Sequence, residues 1–352
     1  MSREDIHCSL VIPGLLDMPT AECKAALAAV GRLPELECFF TRAEQTSCGR
    51  AGLEATLFEL FGVPVENHYD VPVAAASYQA DSKIAVPGFC MRADPVHLIP
   101  DRDQLVLVGP ESLDLTAAEA ERLVQELNTF FSEDGWRIEA PTPQRWYLHF
   151  SPAPELGTPD LRTYDLTQVR GQSINTFLPR GADGKHWQGI MNEIQMLLHT
   201  SSVNQERQAS GKLTVSSLWF WGSGELPVMD TDKDGRWCEV WSNEALSTGL
   251  ALLTGSSGHK LPDNADDWLA RASGSGEHLL IIDDLMLRRQ QQDGAAWQQA
   301  VQSLQNEWLA PLLAALRKKA ISRLTVYTAN GKSFTLTRRT LKRWWRRRRS
   351  LS

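Results

Sequence analysis

Residues 192–227 read NEIQMLLHTSSVNQERQASGKLTVSSLWFWGSGELP. Their order is apolar-periodic, then polar, then continuously apolar. The polar part, which reads as a loop, carries an Asn-x-x-Arg pair, Asn204 and Arg207. The apolar run SSLWFWG at 216–222 reads as a buried strand that ends in Gly222-x-Gly224-x-x-Pro227. Glycines just past a strand let the backbone turn sharply or approach a ligand closely, and an ordinary strand-end turn uses them too. Upstream, Trp187, Ile190, Met191, Ile194, Leu197 and Leu198 recur at helical spacing and predict a helix over 187–198.

Outward from this stretch, the C-terminal third alternates strand and helix. A helix is predicted near 243–253, a strand at HLLIID (278–283), a long helix from about 295 to 319 and a strand at RLTVYTA (323–329). Strands separated by helices argue for a mainly parallel sheet. In the long helix Trp297, Val301, Leu304, Trp308, Leu312 and Leu316 form one apolar stripe, which reads as core, and Pro311 predicts a kink. At the other end, CSLVIPG (8–14) reads as a strand, 20–30 as a helix capped by Thr20, and 50–61 as a helix stopped by Gly62. The middle holds QLVLVG (104–109), a capping-box helix start at Thr116 and Glu119, and RWYLHF (145–150), the pattern of a smaller α+β domain. The predicted organisation is an α/β core from 1–70 and 200–337, an inserted α+β domain over 71–199, and a tail at 338–352.

The chain has 352 residues, 42% hydrophobic and 22% charged, the proportions of an ordinary globular protein, which excludes a wholly disordered, collagenous or membrane-spanning chain. Its net charge of −7 hides an asymmetry. The segment RRTLKRWWRRRR (338–349) holds eight basic residues and no acid, which leaves about fifteen excess negative charges on the rest. Six cysteines without CxxC spacing, and no apolar run of transmembrane length, make a reducing cytoplasm the expected compartment.

The stretch 192–227 resembles the cofactor-independent, archaeal-type phosphoglycerate mutases of the alkaline phosphatase superfamily, which carry a similar N…R…strand-WGxG-x-x-P segment. CSLVIPGLLDMP, GLEATLFELFG, residues 239–262 and residues 278–316 extend the likeness. It is closer still to bacterial RpfE-type regulatory proteins. The resemblance implies an alkaline-phosphatase-like, mainly parallel sheet flanked by helices, and two divalent metals such as manganese or zinc. Those metals would be held by an Asp-Gly after the first strand, an Asp-x-x-x-His loop and a late Asp-His pair, next to a Ser or Thr nucleophile. Here those positions read Pro13-Gly14, then Asp283-Asp284 without a following histidine, then Ala329-Asn330, with Gly52-Leu53 near the nucleophile position. The expected cofactor state is therefore none. The expected function is a non-catalytic relative with a regulatory or ligand-binding role, its ligand a phosphorylated small molecule. The competing reading is an active phosphotransferase with a rebuilt site, drawing on Asp17, Ser47 (or neighbouring Cys48), Asp283, Asp284 and Asp293.

Other constellations are weaker. DTDKDG (230–235) offers Asp230, Asp232 and Asp234 at calcium-loop spacing, but position twelve is Trp241 instead of Glu, and an acidic solvated loop is the plainer reading. Arg92 and Asp94 stand where the resemblance places an arginine-rich substrate clamp that Arg102 and Arg207 could join; surface salt bridging is the alternative. In the tail, Arg343, Trp344, Trp345, Arg346 and Arg347 interleave cations with aromatic rings. That pattern suits an anionic partner, whether nucleic acid, lipid surface or acidic protein, and equally a solvated end.

Overall fold

The computed structural model describes residues 6–16, 29–63, 71–84, 88–150, 159–226, 236–290 and 294–343. The chain divides into two compact units, Met1–Pro64 with Met229–Ser352, and Val65–Val228. In chain order the first unit begins with β1 (Ile6–Val11), α1 (Pro34–Arg42), β2 (Glu44–Ala51) and α2 (Leu53–Leu60). The second unit holds α3 (Val73–Ser82), β3 (Cys90–Asp101), β4 (Gln104–Val108), α4 (Ala117–Phe130), β5 (Trp136–Thr142), β6 (Arg145–Phe150), α5 (Gly184–Thr200), α6 (Ser202–Ala209) and β7 (Ser217–Gly224). The first unit then resumes with β8 (Glu239–Trp241), α7 (Ala245–Leu253), β9 (Ser257–His259), α8 (Ala265–Arg271), β10 (Gly276–Ile281), α9 (Asp284–Gln290) and α10 (Gly294–Ser303). It closes with α11 (Ala310–Arg317), β11 (Arg323–Tyr327), β12 (Asn330–Thr337) and the single turn α12 (Arg338–Leu341).

The seven strands of the first unit run in the order β2-β12-β11-β1-β10-β8-β9. From β11 to β9 every pairing is parallel, and β12 runs antiparallel to both β11 and β2. This is the α/β, mainly parallel sheet that the alternation of strands and helices predicts. Strand β1 lies at its centre, with Leu10 opposite Leu280 on one side and Val326 on the other. Cys8, Leu10, Leu280, Leu324 and Val326 pack under α1, α8, α10 and α11 through Leu36, Phe39, Trp268, Val301 and Leu312. Leu279 and Ile281 of β10 alternate to the other face and are equally buried, so the strand is covered on both sides.

The tryptophan stripe at 297–316 is core, with Trp297 and Trp308 both buried. Next to Pro311, where the sequence predicts a kink, a π-helical turn of six residues, Leu304–Leu309, stands immediately before α11. Proline lacks an N–H and its ring crowds the carbonyl four residues back, and a wider turn just ahead of it relieves both problems.

In the second unit β4-β3-β6-β5 form an antiparallel sheet, and β7 pairs with β3. Residues 200–226, which the sequence reading assigns to the core, therefore lie with the inserted unit. The reason is the pairing of β7 along β3 from Cys90↔Gly224 to Val96↔Ser217. The predicted capping box is present at α4: Thr116 Oγ1 accepts the Glu119 N–H, and Glu119 Oε2 accepts the Thr116 N–H. The helix predicted over 20–30 falls almost wholly outside the described residues. No helix among the described residues is long and apolar enough to cross a membrane.

The central strand sets one expected outcome. Leu10→Ala removes a side chain with 0% exposure from the middle of the sheet and should cost about 2–5 kcal/mol. Leu252→Ala, at a side chain 48% exposed on α7, should change stability by less than about 0.5 kcal/mol. Urea unfolding of the two variants measures the contrast.

Candidate functional site

In an open α/β sheet, ligand chemistry sits beyond the carboxyl ends of the strands. In the first unit β1, β10 and β11 deliver Ile12-Pro13-Gly14, Ile282-Asp283-Asp284 and Thr328-Ala329-Asn330 to that edge, side by side. The three ends are tied together, since Ile12 N donates to Tyr327 O at 2.8 Å and Ile282 N donates to Val11 O at 2.9 Å.

The side chains there are poor in metal donors. Pro13 and Gly14 offer none. Gly14 has φ +80°, and a Cβ on it would lie 3.2 Å from the backbone of Met286, so the first turn of α9 packs directly onto the loop after β1. Asp283 is half-buried, and burial first, then the neighbouring Asp284 charge, push its carboxyl above the usual range, although its own backbone hydrogen bond pulls the other way. Asp284 is exposed and receives Arg288 Nε at 3.1 Å. At the end of β11, Thr328 Oγ1 donates to Asn330 Oδ1 at 2.6 Å. A two-metal centre needs several hard oxygen or imidazole donors converging on each ion. Among the described residues no three His, Cys, Asp or Glu side chains gather in that way. The residues at these strand ends do not fit such a centre, and no metal-assisted step is assigned to them.

The nucleophile position is also without a hydroxyl. Gly52, at φ +112°, precedes α2 and donates its N–H to Ala329 O at 2.8 Å, and Leu53 follows as a buried side chain. Ser47 is exposed on β2, opposite Lys332. Next to it Cys48 is raised above its ordinary thiol pKa by burial and then by the Glu59 charge, against a hydrogen bond with Ser333. Strand β2 is four strands from β10, about 19 Å at the usual strand spacing, so Ser47 and Asp283 do not share a site.

Arg92 and Asp94 do come together, inside the second unit. Arg92 Nε and Nη2 donate to Asp94 Oδ1 at 3.0 and 2.7 Å. Asp94 Oδ2 accepts Trp221 Nε1 at 2.8 Å and Oδ1 accepts the Trp146 N–H at 3.3 Å. The guanidinium also lies over the rings of Tyr147 and Trp221, 5.1 and 5.2 Å from their centroids. Burial works against its charge, but Asp94 and Tyr147 outweigh burial and raise the Arg92 pKa. The pair is thus completed by protein groups, and side-chain exposure is 7% and 0%.

Arg207 and Asn204 stand on α6, where the sequence reading places a polar loop. Arg207 is buried: its Nη1 meets Glu119 Oε1 at 2.9 Å, its Nε donates to Leu213 O at 2.8 Å, and its Nη2 donates to Leu113 O. Asn204 Nδ2 donates to Leu198 O at 2.8 Å and Val215 O at 2.7 Å, and its Oδ1 accepts the Val215 N–H at 2.9 Å. Gly222 (φ +62°) and Gly224 (φ +147°) bring the end of β7 against α3, since a Cβ on either would come within 2.9 Å of Val73 or Pro72. Arg102 occupies the exposed two-residue turn between β3 and β4 at φ +56° and shares no partner with Arg92 or Arg207. Sequence reading missed the partners that complete these networks, Trp221, Trp146 and Glu119, because they lie 52 to 127 residues away along the chain. Asp17, Asp230, Asp232, Asp234, Asp293, Trp344, Trp345, Arg346 and Arg347 lie outside the described residues, and Arg343 pairs with Glu44.

This fold, a parallel-rich sheet interrupted by an antiparallel unit, has known counterparts. The structure of the PH0037 protein from Pyrococcus horikoshii superposes with a TM-score of 0.54 over 95% of this chain and 88% of that one, at 11% identity, a likeness of fold. The sequence resembles the 2,3-bisphosphoglycerate-independent phosphoglycerate mutases. A probable member from Geobacter sulfurreducens is 26% identical over 260 residues, 69% of this chain and 62% of that protein. One from Methanosarcina acetivorans is 26% identical over 267 residues, 71% of this chain and 63% of that protein. The chain matches a little over three-fifths of the length of these two relatives. No family model matches it.

Arg92→Ala should leave Asp94 as a buried, unpaired charge and cost about 3–5 kcal/mol. Chemical unfolding reads the loss; an unchanged midpoint would show that the guanidinium does not hold the fold.

Proposed function

We propose that this chain is a phosphoglycerate-mutase-like protein without the metal-dependent reaction, acting as a regulatory or ligand-binding protein. The observation that carries the reading is the donor-poor edge of the sheet. One half-buried carboxylate, Asp283, stands where the resemblance calls for a full ligand set, and the Pro13-Gly14 loop is packed against Met286. Phosphoryl transfer by such enzymes depends on cations that neutralise the moving phosphoryl group and activate the nucleophile. Among the described residues those donors are few, Gly52-Leu53 stands at the nucleophile position, and the Thr328 hydroxyl at the end of β11 is engaged with Asn330 Oδ1, so the strand ends support packing and binding better than attack on phosphorus.

A phosphorylated small molecule is the ligand class that the likeness to phosphoglycerate mutases suggests, and the basic tail adds a capacity for an anionic partner. Interconversion of 3-phosphoglycerate and 2-phosphoglycerate, followed by phosphorus NMR with manganese or zinc added, tests the loss of chemistry. The expected result is no turnover above the protein-free control. Turnover that a chelator abolishes would establish the competing reading of a rebuilt active site.

A further inference from the structure

We propose that a groove in the second unit binds a small anionic amphiphile, a carboxylate or similar anion joined to an apolar body. The groove has a volume of about 640 Å³ and lies among the β3–β4 hairpin, the end of α5, α6 and residues 212–216. That size is within the range of small-molecule clefts. The inference is independent of the state of the sheet edge in the first unit, because every lining residue belongs to Val65–Val228.

The walls are fixed before any ligand arrives. Asn204 joins Leu198 to Val215, and Arg207 holds Leu213 O at 2.8 Å. His97 Nδ1 lies 2.8 Å from Thr214 O, and Ser216 Oγ accepts the Leu98 N–H at 2.7 Å. A carbonyl only accepts, so Nδ1 carries a proton and the His97 ring is oriented by that bond. A groove pinned at this many points adds little ordering cost on binding. The Asn-x-x-Arg pair thus has a second consequence, since the residues that stabilise α6 also shape this groove.

Its chemistry is two-sided. Leu98, Leu105 and Leu198 supply an apolar floor, and Met196 and Leu213 at the rim are 73% and 39% exposed, two of the six large apolar side chains left open to solvent among the described residues. The ionisable lining residues are His97, His199 and Lys212, with no Asp or Glu, on a chain in which acids outnumber bases 43 to 36. Gln195, Gln205 and Gln208 add amide donors. An apolar body would cover the exposed side chains while its anionic head meets the one-signed charge at the rim.

The probe is decanoate, titrated calorimetrically into the full chain below its micellar concentration, with acetate and decyltrimethylammonium as comparisons. One saturable decanoate site is expected, with both comparisons at least about tenfold weaker. Lys212→Glu and Met196→Glu, both at exposed positions, should each lower decanoate affinity about tenfold without shifting the ligand-free melting midpoint, and Ile84→Glu, outside the groove, should not. Absence of saturable decanoate binding would overturn the proposal, and so would affinity that survives both groove variants. Equal binding of the cationic probe, or a loss confined to Met196→Glu, would overturn the anionic assignment.

Discussion

Strand β1 hydrogen-bonds to β10 on one side and β11 on the other, both in parallel, and this arrangement governs what the first unit can do. Parallel neighbours end at the same edge, so the three loops that follow them meet there regardless of their separation in sequence. The burial of Leu10, Leu280 and Val326 fixes the register, because a slip of one residue would turn each apolar side chain to the opposite face. Chemistry at the edge is then decided by a few loop residues. Here they are two isoleucines, proline, glycine, threonine, alanine, asparagine and two aspartates, of which Thr328 is bonded to Asn330, Asp283 is half-buried and Asp284 pairs with Arg288.

The second unit uses its charged residues in another way. Arg92 and Asp94 form a buried pair closed by two tryptophans, and Arg207 ties α6 to Glu119 and to two carbonyls. Each of the three nitrogens in both guanidinium groups donates to a protein acceptor. The stretch on which the sequence reading bases its resemblance, which the structure describes through residue 226, builds this unit: Asn204 clamps backbone, and Gly222 and Gly224 make room for Val73 and Pro72.

Much of the fold was legible because local signals agreed with tertiary structure. The capping box at Thr116, the apolar runs at 145–150, 216–222 and 278–283, and the helical spacing over 187–198 correspond to α4, β6, β7, β10 and α5 within a few residues. Strand β2, EQTSCGRA, was not legible, since it is polar and draws its order from pairing with β12. The placement of β7 was misread because its partner β3 is more than a hundred residues away and no local pattern names a partner. In the candidate site, the residues at the resembled ligand positions, Pro13, Gly14 and Ala329, could be read directly, and their side chains carry no donor. The packing of α9 onto Gly14 and the closure of the arginine networks were invisible, because they depend on contacts between residues distant in sequence.

The central proposal is that the carboxyl edge of the first sheet does not hold a two-metal centre. Elemental analysis of the full chain tests it most directly, after purification without chelator, equilibration with manganese and zinc, and removal of free ions. The account predicts no stoichiometric manganese or zinc. About two tightly held equivalents per chain would contradict it and return the strand ends to metal-dependent phosphoryl transfer.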